Sequence, residues 1–415
     1  MEKGINIADL PKTLQDAVFV TRKLGMRYLW VDALCITQDS KEDMEKELET
    51  MGQTYRYATT TISAACATSV QQGFLHQREP KPSMYPRLTL PYRAWSDGPS
   101  VGVTLQEENQ YDPRTEPINS RAWTLQERLL SPRLPIYGTR ELVWQCQQTS
   151  LTANGTAKIT PDGSERLEGA FSNGRLSLAP DSFWKSWKAT VVDYTNRNTS
   201  FAEDKLVAIA GLASEFHRQN QDDMYLAGLW RRNLPEGLMW MMDTMVMDEI
   251  GAWQAHPRPA AYVAPSWSWA SVTGLVEFDT TTTCTEEGQP YIEVVGCDMK
   301  LENSDIPTGK VVGGTLKAKG CLRDARWDGI TLFDGPTASA KPHGVSWMDA
   351  EEAKPDVVSC LRVCSDRGLM LAPTKVPSTF RRVGVFQVAG GEDDYPLDAC
   401  DEWFNECDIQ TIHIV

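Results

Sequence analysis

Histidine is scarce in this chain: 415 residues hold only five, His76, His217, His256, His343 and His413. None falls in an HExxH or similar metal-binding spacing. Also missing are a G-x-S-x-G nucleophile elbow, a Walker loop and a G-x-G-x-x-G fingerprint, so hydrolase, kinase and dehydrogenase readings have little support. Basic residues are outnumbered, 41 Lys and Arg against 56 Asp and Glu, for a net charge of -15. That balance argues against a general phosphate-backbone binder and sets nucleic acid aside as a partner. No window approaches the ~18 to 20 continuous apolar residues of a membrane span, and the N-terminus lacks the apolar core of a signal peptide. The expectation is a soluble cytoplasmic protein, in which the sequons at Asn154 and Asn198 carry no meaning.

The ten cysteines follow no repeating framework, and in a cytosolic chain they are expected to be mostly reduced. Cys35, Cys66 and Cys146 lie in apolar runs and read as buried packing residues. Cys360 with Cys364, or Cys400 and Cys407 with His413, match no standard zinc spacing. Hydrophobic content of 41% and charged content of 23% are ordinary for a globular chain long enough for two or three domains. Fourteen tryptophans supply large buried area first and interface anchors second.

The stretch Arg27 to Ala65 organises the N-terminal part. Its nearly unbroken apolar run to Ile36 predicts a strand covered on both faces, with Asp32 as its one interior charge. Gln38, Asp39 and Ser40 form a polar turn, and Ser40 with Asp43 matches a capping-box start for a helix from about Lys41. Met44, Leu48, Met51 and Tyr55 make one apolar stripe on that helix. Glu47 lies nearest the stripe among its acids. Two readings of it stand side by side: a ligand-facing carboxylate at the C-terminal end of a parallel strand, or a salt-bridged rim residue.

Before this stretch, Leu10 to Leu24 predicts a helix opened by Pro11 and ended by Gly25. Helix, strand, helix and strand in alternation imply a parallel sheet with helical crossovers. RLTLPYR and SVGVTLQ predict short antiparallel strands. NSRAWTLQERLLSPRL reads as a helix capped by Ser120 and stopped before Pro132. Arg121 and Arg128 on it suit either anion recognition, such as a dinucleotide's phosphates, or salt bridges to Glu127 or Asp32. LPIYG and ELVWQC suggest a hairpin.

Residues 151–180, rich in Gly, Ser, Asn and Asp, read as a mobile loop or linker. A mainly helical region over 181–273 follows, including FAEDKLVAIAGLASEFHRQ with an inward stripe at Leu206, Ile209, Ala210, Ala213 and Phe216. YLAGLWRRNLPEGLMWMMDTM should continue it, and PSWSWASV should close it as a buried aromatic strand. From 274 to 415 short strands between Gly, Pro and Asp predict an antiparallel sandwich or partly open barrel.

LPKTLQDAVFVTRKLGMRYLWVDALCITQDSKEDMEKELETMGQTYRYATTTISAA closely resembles the second block of the fungal heterokaryon-incompatibility (HET) domain. RAWTLQERLLSPRL with LVWQC, FAEDKLVAIAGLA, and YLAGLW leading to APSWSWASV resemble its later blocks, so the likeness runs over roughly residues 4 to 275. An earlier block like Y-x-x-L-S-Y-x-W-G is not found before Leu10, which implies an N-terminally short member, with a HET domain over 1–150.

The resemblance implies a role in allorecognition and regulated cell death. HET domains have been likened to Toll/interleukin-receptor (TIR) domains, which implies an α/β fold with a TIR-like parallel core. Some TIR domains cleave NAD with a helix-borne glutamate. By that likeness Glu47 would be the catalytic residue and NAD the substrate, with no bound cofactor or metal. Asp32, Gln38, Asp39, Trp30, Arg121 and Arg128 would bind the substrate around it, an inference that rests on fold alone. The alternatives are a non-enzymatic module that binds a protein partner or itself, with Glu47 structural, and an inactive truncated homologue.

Overall fold

Amphipathic helices and short strands fold here into two units. A computed structural model describes residues 4–78, 88–93, 95, 98–105, 115–146, 149–152, 171–172, 175–179, 182–243, 256–278, 284–286, 289–334, 342–388, 396–405 and 407–415. Residues 1–37, 58–120 and 131–164 form the first unit, and residues 38–57, 121–130 and 165–415 form the second. Of the segment 151–180, expected as a linker, residues 153–170 lie outside the described residues.

In the first unit, α1 (Lys12–Lys23) has Pro11 at its N-cap and is followed by Gly25 at a φ of 72°. Its buried side chains are Asp16, Val20 and Thr21, whereas Leu24, expected inside, is half exposed. Val20 packs with Cys66 and Phe74 in a small core. The expected strand over Arg27–Ile36 does not form. Residues 27–31 follow no regular element, and α2 (Asp32–Cys35) is a single helical turn. A strand covered on both faces would bury this run, yet Tyr28 is 83% exposed and only Ile36 is buried. Cys35 is likewise exposed.

β1 (Leu88–Tyr92) pairs antiparallel with β2 (Val101–Leu105), as the alternation predicts. β3 (Arg133–Tyr137), β4 (Leu142–Cys146) and β5 (Thr149–Thr152) form an antiparallel sheet that contains the expected hairpin. Residues 61–66 run beside β3. Thr61 and Ser63 donate backbone hydrogen bonds to Arg133 and Pro135, and Ser63 makes a parallel bridge with Ile136. The named sheets of this unit are antiparallel, so a doubly wound parallel core is not among the described elements.

The second unit begins with α3 (Lys41–Tyr57), where the amide of Asp43 donates to Oγ of Ser40 at 3.2 Å, the predicted cap. It packs on α4 (Trp123–Leu130) and α6 (Ala210–Gln219), and α5 (Phe183–Thr195) lies between them in the chain. Ser120 does not cap α4: its hydroxyl donates back to Pro117 within a preceding 3-10 turn, and the helix starts at Trp123. Leu206, Ile209, Ala213 and Phe216 are buried as the stripe predicts.

The region after α6 departs from the helical expectation. Following the short pair β6 (Phe171–Ser172) and β7 (Arg175–Leu176), Tyr225–Leu226 (β8) turns back onto Leu229–Trp230 (β9). A four-residue helix, α7 (Leu234–Gly237), precedes β10 (Trp240–Met242), which pairs with β11 (Val276–Phe278). PSWSWASV is not a strand. It turns and winds into a 3-10 helix over Trp269–Ser271, with Oγ of Ser268 accepting from the amide of Ala270. Its indoles are nevertheless fully buried, and Trp269 and Trp187 both donate to the carbonyl of Gly228, at 2.8 and 2.9 Å.

β12 (Thr285–Glu286) and β13 (Gln289–Pro290) precede the large sheet. It comprises β14 (Ile292–Leu301), β15 (Val311–Trp327), β16 (Thr331–Asp334), β17 (Pro342–Met348), β18 (Val357–Arg362), β19 (Arg367–Pro373), β20 (Thr379–Val388) and β21 (Ile409–Ile414). The long β15 pairs with both β16 and β18, and the chain of pairings β16-β17-β20-β19-β18 closes back on it, a barrel with β14 and β21 added along the first half of β15. All pairings are antiparallel except a short parallel contact of β20 with β21. Alternation along the strands sends Leu361, Leu369, Leu371 and Val385 into the main core with the helices. Cys360, Met370 and Phe386 go to a second core beneath α8 (Pro396–Phe404). Cys364, expected to be reduced, is bridged to Cys284 in a disulfide and so has no thiolate to offer a metal.

Candidate functional site

Trp30 and Asp32 belong to the first unit, and Gln38, Asp39, Glu47, Arg121 and Arg128 to the second. Trp30 is half-buried. Asp32 is exposed at the start of α2, where its carboxylate accepts from the amide of Ala33 at 2.7 Å. That is a local bond to the next residue of the chain.

Gln38 and Asp39 are exposed in the turn before α3. Glu47 sits half-buried on the middle of α3, its carbonyl accepting from the Thr50 hydroxyl at 3.3 Å. Met51 of the same helix is buried and Tyr55 packs against the main core, which fixes the face that α3 turns inward.

The two arginines divide. Arg121 is exposed, and its backbone pairs with Asn198. Arg128 is drawn into an ion cluster: its Nη2 lies 3.2 Å from Asp193 on α5, which also accepts from Nε and Nη2 of Arg197 at 3.0 and 2.9 Å. Arg197 in turn donates to the Thr124 hydroxyl at 3.0 Å. Arg128 thus makes the expected kind of salt bridge, but to Asp193, which lies 65 residues on. Sequence distance hid that partner.

None of the expected site residues lines the cavity in the second unit. That cavity, of about 440 Å³, lies where the C-terminal end of α5 meets residues 242–243, 256 and 272–275. Asn196, Asn198, Asp243, His256, Lys205 and Val272 are part of its wall. His256 is exposed and Asp243 half-buried. Lys205 is 7% exposed, and its Nζ donates to the carbonyl of Val272 and stands 5.5 Å from the Trp269 ring centroid. Burial pushes its ammonium down to about 7, because a charge stripped of water is costly. Tyr194, on the same wall, donates its hydroxyl to the Lys205 carbonyl at 2.6 Å. Burial, and then the neighbouring Tyr225 and Asp204, hold that phenol well above its ordinary value.

Lys205 escaped notice in the sequence. The one signal that pointed to it is its position directly before the inward stripe that begins at Leu206, a poor place to solvate a charge.

No curated protein and no solved structure matches the chain. The family model described as Heterokaryon incompatibility protein (HET) matches residues 1–127, from the N-terminus through α3 and into α4, so that stretch is similar to the heterokaryon-incompatibility domain.

Proposed function

We propose that this chain is a cytoplasmic effector of heterokaryon incompatibility, acting in allorecognition and leading to regulated cell death. The observation that carries the reading is the family match over residues 1–127. Within it, signalling through protein contact is the mechanism the geometry favours. Phe19, Leu24 and Tyr28 of the first unit expose large apolar side chains within ten residues of one another, which is the chemistry of a surface that meets another protein. Arg128 is committed to Asp193, and Asp32 to its own turn.

NAD hydrolysis by Glu47 is the second reading. One feature favours it: Glu47 is half-buried on a helix that follows a polar turn. A glutamate so placed would stabilise positive charge on the ribose as nicotinamide leaves.

Inducible expression of the full chain in a fungal host, with cell viability and the NAD pool followed together, tests both. Death without NAD loss, abolished by Tyr28→Asp and spared by Glu47→Ala, supports the contact mechanism. NAD loss that Glu47→Ala abolishes in a folded protein supports the enzyme. Unchanged viability and NAD would sink the effector reading itself.

A further inference from the structure

Lys205 has an environment that a merely structural lysine does not need. Its ammonium meets one carbonyl and one indole face, and among the described residues no carboxylate forms an ion pair with it. An apolar side chain would fill the same place without the cost of stripping water from an amine. Lys205 also lines a cavity, together with the Val272 whose carbonyl its amine meets, and the size of that cavity, about 440 Å³, falls in the ordinary range of small-molecule sites. Because burial brings it to about 7, a large share of it is a free amine at neutral pH, the form that attacks carbon.

We propose that this cavity binds a small aldehyde or ketone and that Lys205 captures it as a reversible imine. The nitrogen lone pair adds to the carbonyl carbon as the C=O pair moves onto oxygen. The oxygen takes up a proton while the nitrogen gives one up, leaving a carbinolamine. The C–O bond then breaks, its oxygen departs as water with a further proton, the nitrogen lone pair closes the C=N bond, and the nitrogen gives up its remaining proton. Reactant and product differ by one water, and no oxidant or reductant enters.

Asp243 and His256 line the same cavity, and a proton donor near the hydroxyl is what loss of water from the carbinolamine requires. The other ionisable groups of the wall are already engaged, Arg197 by Asp193 and Tyr194 by the Lys205 carbonyl. A carboxylate in the lining disfavours a simple anion as the ligand, and the apolar Ala202, Val272 and Leu275 favour a compact organic body. Nothing here depends on the incompatibility reading.

The test uses the full chain at pH 7 with benzaldehyde, and separately with acetone, in the presence of cyanoborohydride, followed by peptide mass mapping. The imine is reduced to a stable secondary amine at whichever lysine formed it. At that pH an ordinary exposed lysine is a free amine in only about one molecule in 10³. The expected result is modification of Lys205 at probe concentrations at least tenfold below those that modify the exposed Lys375. Labelling of Lys205 should also saturate with probe and drop about fivefold between pH 7 and pH 6.

Lys205→Met should remove that modified peptide and leave the labelling of Lys375 unchanged. Since this variant could fail to fold, the saturation and pH profile of the wild-type protein decide independently. Modification of Lys205 no faster than of Lys375, or none at concentrations that label Lys375, overturns the proposal.

Discussion

Gly52 of α3 and Gly211 of α6 meet backbone to backbone: a β-carbon added to Gly52 would stand 3.2 Å from the α-carbon of Gly211. One added to Gly211 would meet Oε1 of Gln126 at 2.6 Å and a methyl of Leu130 at 3.2 Å. In an exposed helix a Gly-to-Ala change adds up to about 1 kcal/mol of stability. Here Gly211→Ala should instead lower the denaturant midpoint, and Gly211→Val should cost about 1–3 kcal/mol through overpacking. A midpoint that rises for Gly211→Ala would show that α3 can shift on its neighbours, and that the Glu47 helix is less firmly placed than this crossing implies.

The guanidinium of Arg382 has no exposed surface, and Asp349 is nearly as deep. Nε and Nη2 each reach the Asp349 carboxylate at 2.9 Å, while Nη1 and Nη2 also donate to the carbonyls of Leu238 and Trp240 at 2.5 Å. The same cation lies 3.5 Å from the Trp240 ring centroid, so β20 and the segment before β10 are joined through one side chain. Removing one partner leaves a buried charge unpaired, which costs about 3–5 kcal/mol. Asp349→Ala should therefore destabilise far more than Arg381→Ala on the partly exposed pair with Glu352, and chemical unfolding of the two variants measures the gap.

What was legible in the sequence is what short-range physics fixes. The Ser40 cap, the α3 stripe, the β3–β4 hairpin and the antiparallel C-terminal strands between Gly, Pro and Asp all depend on neighbours a few residues away, and all are present. Arg27–Ile36 was misread because an apolar run without a period does not tell a buried strand from an exposed connection. PSWSWASV was misread for a related reason. Its aromatic content promised burial, which it has, but the bend comes from Ser268 and from a shared acceptor at Gly228, 41 residues before Trp269. The candidate cavity was out of reach for the same cause, since the acceptor that holds Lys205 lies 67 residues beyond it.

In the first unit, Asp16 accepts from the amides of Phe74 and Leu75 at 2.8 and 3.2 Å and pairs with Lys12. Burial alone would raise this carboxyl, but the bonds from Lys12, Phe74 and Leu75 outweigh it and hold it below the usual carboxylate value. A depressed folded-state pKa contributes stability that is complete above the unfolded value, near 3.9, and is lost as pH falls through the folded one. Asp16→Asn should therefore speed amide exchange at Phe74 and Leu75 near neutral pH by an amount matching about 1–3 kcal/mol. Below about pH 3 the difference from the wild type should shrink; an equal effect at both pH values would mean that the charge of Asp16 is immaterial.

Lys205 gives the opposite half of the pH scale. Its folded-state value of about 7 lies below the ordinary 10.5, so between those values the unfolded chain holds a proton that the folded chain does not. Stability therefore rises with pH across that window, at up to about 1.4 kcal/mol per unit, and levels off below about 7, where both states are protonated and the full cost of burying the charge is present. Lys205→Met removes the titrating group and should flatten this rise relative to the wild type, with the variant the more stable of the two at pH 7 if its side chain packs on Trp269 as the lysine stem does. Urea unfolding at half-unit steps from pH 7 to pH 9.5 reads the difference between the two proteins, which cancels the titration of other groups. Parallel curves would mean that Lys205 reaches water in the folded state, and that its amine is as protonated as any on the surface.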